Sequence, residues 1–164
     1  MVSSSKGITI NANTATVTAN SKNEYRCVFA NIILNDAERK WKVIVNNVKN
    51  WIGIGVSLKE VVICNKFKFN FNNPAFNHGT FFISSNGLAY NPNNFKENDT
   101  KIKNFPGLHN GDEIQIKYSA KESTLQFKIN NSFEYVMQNV VSIRAFMVPT
   151  VIFLNLNDEV TFDN

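Results

Sequence analysis

The stretch Glu113-Ile114-Gln115-Ile116-Lys117-Tyr118 alternates strictly between polar and apolar residues. The alternation resumes in Leu125-Gln126-Phe127-Lys128-Ile129, so each stretch places its apolar side chains on one face of an extended chain. Two such stretches joined by a short polar loop predict a β-hairpin with one buried face. The next pair, Asn130-Asn131, tolerates positive φ angles and predicts a second tight turn before a strand at residues 133–137.

The rest of the chain contains short segments rich in β-branched and aromatic residues, which predict further strands. These segments are residues 14–19, 25–34, 40–46, 51–57, 61–64, 80–84, 145–148, 151–154 and 159–162. Pro149 cannot donate to a sheet ladder, so it predicts a strand start, a bulge or an edge. About a dozen short strands, with no sustained helical period, predict an all-β sandwich or barrel that forms one domain over residues 1–164.

Cysteine usage and hydropathy favour an intracellular, cytoplasmic domain. Cys27 and Cys64 both lie in apolar segments, which favours buried free thiols and leaves a disulfide between them open. The N-terminal residues lack the apolar core of a signal peptide, and no stretch approaches the length of a membrane span. The net charge of +4 comes from lysines spread along the chain, so we expect no nucleic-acid partner and no membrane insertion.

The sequence offers no constellation typical of catalysis or metal binding. No two acidic residues alternate on one strand face, and His78 and His109 both lie in predicted loops. The acidic and amide residues at 155–159 lack the spacing of an EF-hand, and a polar turn explains them better. We therefore predict no enzyme, no cofactor and no metal site.

Several motifs follow one another in an informative order. Residues 38–45 (ERKWKVIV) precede residues 51–56 (WIGIGV), and later come residues 79–87 (GTFFISSNG), 111–114 (GDEI), 125–130 (LQFKIN) and 149–151 (PTV). This ordered set resembles the signature strands of the SPRY domain family, and the resemblance extends over essentially the whole chain. Ser119 stands where the family often has an acidic residue, and the leader of the longer ubiquitin-ligase versions is not evident. The binding residues of those versions are therefore not transferred to this chain.

The resemblance implies a bent, concanavalin-like β-sandwich of two antiparallel sheets. It also implies a non-catalytic protein-interaction module or adaptor that binds a partner protein or a short peptide through its inter-strand loops. Within the motifs, Gly53 and Gly55 project from one face of a strand, which lets a large ring such as that of Trp41 approach closely.

Recognition residues usually lie in loops on a rigid scaffold, and the two loosest segments here are residues 70–78 and 91–110. Our candidates for partner binding come from these segments, from the residue just before the second of them, and from the loop between the two tryptophans: Asn47, Lys49, Phe76, His78, Tyr90, Asn91 and Phe95. For Phe76 and Phe95 the sequence favours rings that fold back into the core, and Tyr90 is evenly balanced. Replacing Tyr90 and Phe95 by Ala is expected to weaken partner binding and leave the melting temperature nearly unchanged.

Two alternative functions stay open at this stage. A carbohydrate-binding module on a similar sandwich would use exposed aromatic platforms, for which Trp51 or Tyr90 could serve. A structural subunit of a large assembly would have no separable ligand. The partner and the oligomeric state are not specified by the sequence.

Overall fold

The fold is described from a computed structural model that covers residues 2–3, 6–11, 16–19, 24–34, 38–73, 76–141 and 146–163. Residues 14–15 and 145 of the predicted strands lie outside these ranges. The strands are β1 Val2–Ser3, β2 Ile8–Asn11, β3 Thr16–Ala19, β4 Arg26–Phe29, β5 Arg39–Asn47, β6 Ile52–Leu58, β7 Thr80–Ser84, β8 Leu88–Tyr90, β9 Thr100–Lys101, β10 Glu113–Ser119, β11 Thr124–Ile129, β12 Phe133–Met137, β13 Met147–Phe153 and β14 Glu159–Asp163. One short helix, α1, spans Lys59–Cys64.

The strands form two antiparallel sheets of seven strands each. The first sheet has the order β1-β4-β13-β6-β7-β8-β9, and the second has the order β12-β11-β10-β5-β14-β3-β2. The predicted hairpin is β10–β11, where Ile114 pairs with Ile129 and Ile116 pairs with Phe127. The inward faces of β10 and β11 pack against the inward face of the first sheet to form the main core. The all-β sandwich of two antiparallel sheets is therefore confirmed.

The segment at residues 61–64 is helical, so the predicted strand there is wrong. Val62 is buried, whereas Ile63 and Cys64 are exposed. A run of four apolar residues carries no period that separates a strand from a helix, and tertiary packing decides between them. Here the chain leaves the first sheet at Leu58 and must turn back over its outer face.

Pro149 lies inside a continuous strand and not at a strand start or an edge. It pairs with Val56 of β6, and its carbonyl accepts a hydrogen bond from Ala30 N at 2.9 Å. Ala30 follows the last residue of β4, so the missing N–H of the proline falls where the neighbouring strand ends. The missing donor of Pro149 therefore removes no hydrogen bond from the interior of the ladder between β13 and β4.

A second apolar cluster covers the outer face of the first sheet. The segment after α1 lays Phe71 over the sheet, where its ring lies 4.9 Å from that of Phe82 and 6.1 Å from that of Trp51. Cys27 is buried in this cluster and Cys64 is exposed on α1, and the two cysteines do not form a disulfide. The prediction of buried thiols therefore holds for Cys27 and fails for Cys64.

The two glycines of β6 face this second cluster and not Trp41, which points into the main core. A Cβ on Gly55 would lie 2.0 Å from the Phe81 carbonyl oxygen, and one on Gly53 would lie 2.7 Å from the Phe82 ring. The close aromatic approach predicted from the sequence is therefore present, but the ring belongs to Phe82.

Antiparallel pairing gathers the loops at two opposite ends of the sandwich. One end, which we call the Lys49 end, is formed by residues 48–51, 85–87, 102–112, 130–132 and 154–158. The other, which we call the Phe95 end, is formed by residues 91–99, 120–123, 138–141 and the start of α1. The seven residues of β6 run between the two ends, a distance of about 20 Å.

Candidate functional site

The sequence-predicted binding residues separate into two groups. Asn47 and Lys49 lie at one end of the sandwich. The other five, Phe76, His78, Tyr90, Asn91 and Phe95, lie toward the opposite end or beneath it. The seven residues therefore do not form one surface, and each end is considered separately.

Asn98 organises the loop at the Phe95 end. Its Oδ1 accepts hydrogen bonds from Asn91 N at 3.0 Å and from His78 Nε2 at 3.3 Å. Its Nδ2 donates to the Phe71 carbonyl at 3.0 Å, which ties the loop to the segment that covers the first sheet. One side chain thus joins three parts of the chain that are distant in sequence.

Glu97 is a second centre of hydrogen bonding in the same loop. Its carboxylate accepts from Asn91 Nδ2 at 2.7 Å and from Asn94 Nδ2 at 3.4 Å, and the Tyr135 hydroxyl also donates to it. Burial, together with the negative charge of Glu97, raises the pKa of Tyr135. Tyr135 therefore remains a hydrogen-bond donor to the loop.

The loop is also fixed to the strand connection beside it. Asn91 Nδ2 donates to the Gln138 carbonyl at 2.6 Å, and Asn93 Nδ2 donates to the Asn139 carbonyl at 3.0 Å. Asparagine side chains that bond to main-chain groups in this way hold a loop in one conformation. Residues 91–99 therefore form an ordered structure within one of the two segments that look loosest in the sequence.

His78 lies beneath this loop, where only 1% of it is exposed. Thr80 N donates to its Nδ1 at 3.3 Å, so Nδ1 is the unprotonated nitrogen and Nε2 donates to Asn98. Burial lowers the pKa of His78 to about 4, which keeps the ring neutral. His78 therefore positions the loop and does not offer a surface for a partner.

Tyr90 is likewise internal. Its ring stacks on Phe82 with centroids 4.5 Å apart, and only 5% of the residue is exposed. Burial, and then the nearby Asp99, raises the pKa of the Tyr90 hydroxyl. Replacing Tyr90 by Ala would leave a cavity, so we expect the melting temperature to fall. The sequence alone suggested that it would stay nearly unchanged.

Phe95 is the exposed aromatic residue of the loop. Its ring is 68% exposed, so it does not fold back into the core as the sequence favours. Phe76 is half-buried and Asn91 is fully buried. The structure thus assigns different roles to the five residues: His78, Tyr90 and Asn91 support the loop that presents Phe95.

At the Lys49 end, Asn47 connects loops and Lys49 reaches solvent. Asn47 Nδ2 donates to the Asn157 carbonyl, and Lys49 N donates to Asp158 Oδ1 at 2.9 Å. Asp158 is fully buried, and its Oδ2 accepts from Asn155 N at 3.0 Å. The acidic turn at residues 155–159 is therefore structural, as the sequence indicates, and its carboxylate is used within the fold.

A broad depression of about 500 Å³ lies on the outer face of the second sheet. Lys42 lies between two carboxylates there, 3.2 Å from Glu113 and 2.9 Å from Asp163. Hydrogen bonds from Gln115 and Lys42 hold the pKa of Glu113 below its usual range, so Glu113 is ionised at neutral pH. A general acid needs a raised pKa, and the pKa of Glu113 is lowered. The charged side chains of this depression are ion pairs on the outer face of the second sheet.

Other chemistry finds little support in the described part of the chain. Within residues 2–3, 6–11, 16–19, 24–34, 38–73, 76–141 and 146–163, no three His, Cys, Asp or Glu side chains cluster as metal ligands do. In the same ranges no helix is long and apolar enough to cross a bilayer. Trp51 and Tyr90, the two rings available for a sugar platform, are both buried. The two aromatic residues named for the carbohydrate-binding alternative are therefore not accessible to a sugar.

Sequence reasoning missed the residues that order the Phe95 loop. Asn98, Glu97 and Tyr135 were not among the candidates, although the high density of Asn between residues 91 and 98 was a usable signal. It also missed Lys101 and Lys103, which lie near Lys49 only because the strands bring them to the same end.

No protein-family model and no curated protein matches this sequence. Solved structures do match the fold. The SPRY domain of human HERC1 aligns with a TM-score of 0.70 at 14% identity, and the alignment covers 97% of this chain and 93% of that chain. The PSpry domain of TRIM65 aligns with a TM-score of 0.67 at 11% identity, over 99% of this chain and 88% of that one. The chain thus has the fold of a SPRY domain, and the resemblance seen in the ordered motifs is confirmed at the level of the fold.

Proposed function

We propose that this domain is a non-catalytic protein-interaction module that binds a partner protein or peptide through the Phe95 end. The observation that carries the proposal is the exposed ring of Phe95 on a loop whose asparagine and Glu97 side chains are engaged in hydrogen bonds. A large ring exposed to water costs free energy unless a partner covers it. The SPRY fold and the intracellular location expected from the sequence are consistent with an adaptor of this kind.

The ordered loop makes binding through Phe95 energetically plausible. Association costs free energy when flexible groups become fixed at the interface, and a loop that is already fixed loses less. Binding energy also concentrates in a few residues, among which aromatic rings are frequent. A single phenylalanine on a rigid support is therefore a suitable anchor for a pocket or an apolar residue of the partner.

The first test compares wild type with Phe95→Ala in affinity purification followed by quantitative mass spectrometry. We expect the specific partner to be depleted, and binding of the purified partner to weaken about 25-fold, which corresponds to about 2 kcal/mol. Because the ring is exposed, the melting temperature should change by no more than about 2 °C. Leu156→Ala, an exposed apolar residue at the Lys49 end, is the matched control and should retain the partner.

Two results would contradict the proposal. Equal recovery of all bound proteins by wild type and Phe95→Ala would show that the ring is not a contact. A drop in the melting temperature of more than about 5 °C would show that the ring supports the fold instead.

A further inference from the structure

The Lys49 end carries lysines that have no carboxylate partner. Lys49, Lys101 and Lys103 are exposed, and none of them takes part in an ion pair with another described residue. This contrasts with the outer face of the second sheet, where Lys42, Lys117 and Lys128 all contact carboxylates. Exposed lysines elsewhere, such as Lys66 and Lys96, also have no ion pair with a described residue, so the charge of this end is informative only together with its shape.

Two acidic residues of the same end, Asp158 and Asp112, are directed into the fold, whereas Glu134 lines the cleft that holds Lys103 and lies 3.9 Å from Lys128. Asp158 is buried and accepts from two main-chain N–H groups. Asp112 accepts from His109 N at 2.7 Å through Oδ2 and from Asn130 Nδ2 at 2.7 Å through Oδ1. Both carboxylates therefore fix loops, and neither is positioned to neutralise the three lysines.

Two adjoining depressions give this end a concave shape. One, of about 450 Å³, is lined by Lys49, Asn50 and His109, and the other, of about 490 Å³, is lined by Lys101 and Asn104. Ser85 lines both. Lys103 lies next to Lys101, in a smaller cleft of about 250 Å³ that continues from the second depression.

Ser85 also makes the wall between the depressions rigid. Its hydroxyl accepts from Ile52 N at 3.1 Å and donates to the Asn50 carbonyl at 3.2 Å. Its main-chain carbonyl accepts from Leu108 N at 3.2 Å. The three loops that form the depressions are therefore held together before any ligand arrives, which lowers the entropic cost of binding.

We propose that these depressions bind an acidic, extended segment of a partner protein. The three lysines would pair with its carboxylates, and the side-chain amides of Asn50 and Asn104 would bond to its main chain. The site rests on the protein-binding role proposed above but uses the opposite end of the sandwich. The proposal for either surface can therefore be contradicted without contradicting the other. A nucleic acid is disfavoured, because among the described residues this end has no exposed Phe, Tyr or Trp ring for base stacking.

The test uses fluorescence anisotropy with a fluorescein-labelled peptide of alternating Glu and Ser and a control peptide with Gln in place of Glu. The wild-type protein should bind the Glu peptide, and binding should weaken as salt is raised from about 50 to about 300 mM because the charges are exposed. The triple variant Lys49→Glu, Lys101→Glu, Lys103→Glu should bind at least about tenfold more weakly. A triple Lys→Gln variant at the same positions, which removes charge without reversing it, should show a smaller loss.

The matched control reverses three other exposed lysines, Lys66, Lys68 and Lys121, none of which lines these depressions. It has the same net charge as the first variant and should bind within about twofold of wild type. Phe95→Ala should bind the Glu peptide as wild type does, which separates this test from that of the Phe95 end.

Any of four results would overturn the inference. These are no binding of the Glu peptide by wild type, equal binding of the Gln peptide, an equal loss in both Lys→Glu triple variants, and displacement of the peptide by a short single-stranded RNA that binds more tightly. The last result would identify the surface as one for nucleic acid.

Discussion

His78 shows how one buried residue links the aromatic cluster to the candidate binding loop. Its ring lies 5.1 Å from that of Phe71, and its Nε2 donates to Asn98, which holds the loop. Burial favours the neutral form, in which Nδ1 is unprotonated and faces Thr80 N at 3.3 Å and the Thr80 hydroxyl at 2.6 Å. A proton on Nδ1 would bring a charge into an apolar setting and direct a donor toward Thr80 N.

This arrangement predicts a specific pH dependence of stability. The pKa of His78 is about 4 in the folded state and about 6.5 in the unfolded state, so the unfolded chain binds more protons between these values. The contribution of the neutral ring is complete above about pH 6.5 and is lost as the pH falls toward 4, by about 3 kcal/mol.

Urea unfolding of wild type and His78→Gln at several pH values between 7 and 4 isolates this effect. We expect the free energy of unfolding of wild type to exceed that of the variant at pH 7, and the difference to shrink by about 3 kcal/mol at pH 4. Carboxylates and His109 are present in both proteins, so their titration largely cancels. Parallel pH profiles would show that His78 is not held neutral in the folded state.

The burial of His78, Tyr90 and Asn91 could not be read from neighbouring residues. Each lies beside an Asn, Gly or Pro residue typical of loops, and each is covered by residues that are not its sequence neighbours. Phe71 covers His78 and Tyr90, and Gln138 accepts from Asn91 across 47 positions. The exposure of Phe95 follows from the same contacts, because the neighbouring side chains are used to fix the loop.

At the scale of single elements, the β11–β12 turn illustrates where local sequence determines structure. Asn130 and Asn131 both have positive φ, 48° and 56°, as the hairpin requires. Asn130 does more than occupy this conformation. Its Oδ1 accepts from Glu113 N at 2.9 Å and its Nδ2 donates to Asp112, which joins the turn to the start of β10.

The two asparagines should therefore respond differently to substitution. Asn130→Ala removes two hydrogen bonds and places at positive φ an alanine, which has no side-chain amide to stabilise that conformation. We therefore expect the free energy of unfolding to fall by about 2 kcal/mol. That loss corresponds to a melting temperature lower by about 4 to 8 °C. Asn131→Gly relieves the same backbone conformation and should be neutral or slightly stabilising. An equal loss from both changes would show that the side-chain bonds of Asn130 contribute nothing.

The elements that the sequence predicted well are those with a clear period. The alternation in residues 113–118 and 125–129 specified the faces of β10 and β11, because a one-residue shift would expose every apolar side chain. Residues 61–64 had no such period, and the chain forms α1 there. Pro149 was interpreted from its missing donor alone, and its position beside the end of β4 depends on which strands are neighbours.

At the scale of the whole molecule, the sandwich separates two surfaces that differ in chemistry. One end presents an aromatic ring on an ordered loop, and the other presents unpaired lysines around two depressions. The sequence contained all of these residues but not their grouping. Lys49 and Lys101 lie at the same end only through the paired strands β6, β7, β8 and β9, which the local pattern does not specify.

The separation of the ends predicts that they act independently. They are about 20 Å apart along β6, well beyond the screening length of about 8 Å at physiological salt, so charge at one end should have little effect at the other. The strands between them are buried over their whole length in β6 and β13, and such a packed core leaves no hinge through which one end could bias the other. Each end should therefore contribute its own term to the binding free energy.

Four proteins test this independence: wild type, Phe95→Ala, the Lys49, Lys101 and Lys103 reversal, and the combination of the two. Where one purified partner contacts both ends, the two losses in binding free energy should add within about 0.5 kcal/mol. Where the ends hold different partners, each change should deplete its own partner and leave the other at wild-type abundance. A coupling energy above about 1 kcal/mol would mean that the sandwich transmits a structural change between its ends, and the rigid-scaffold description would then be wrong.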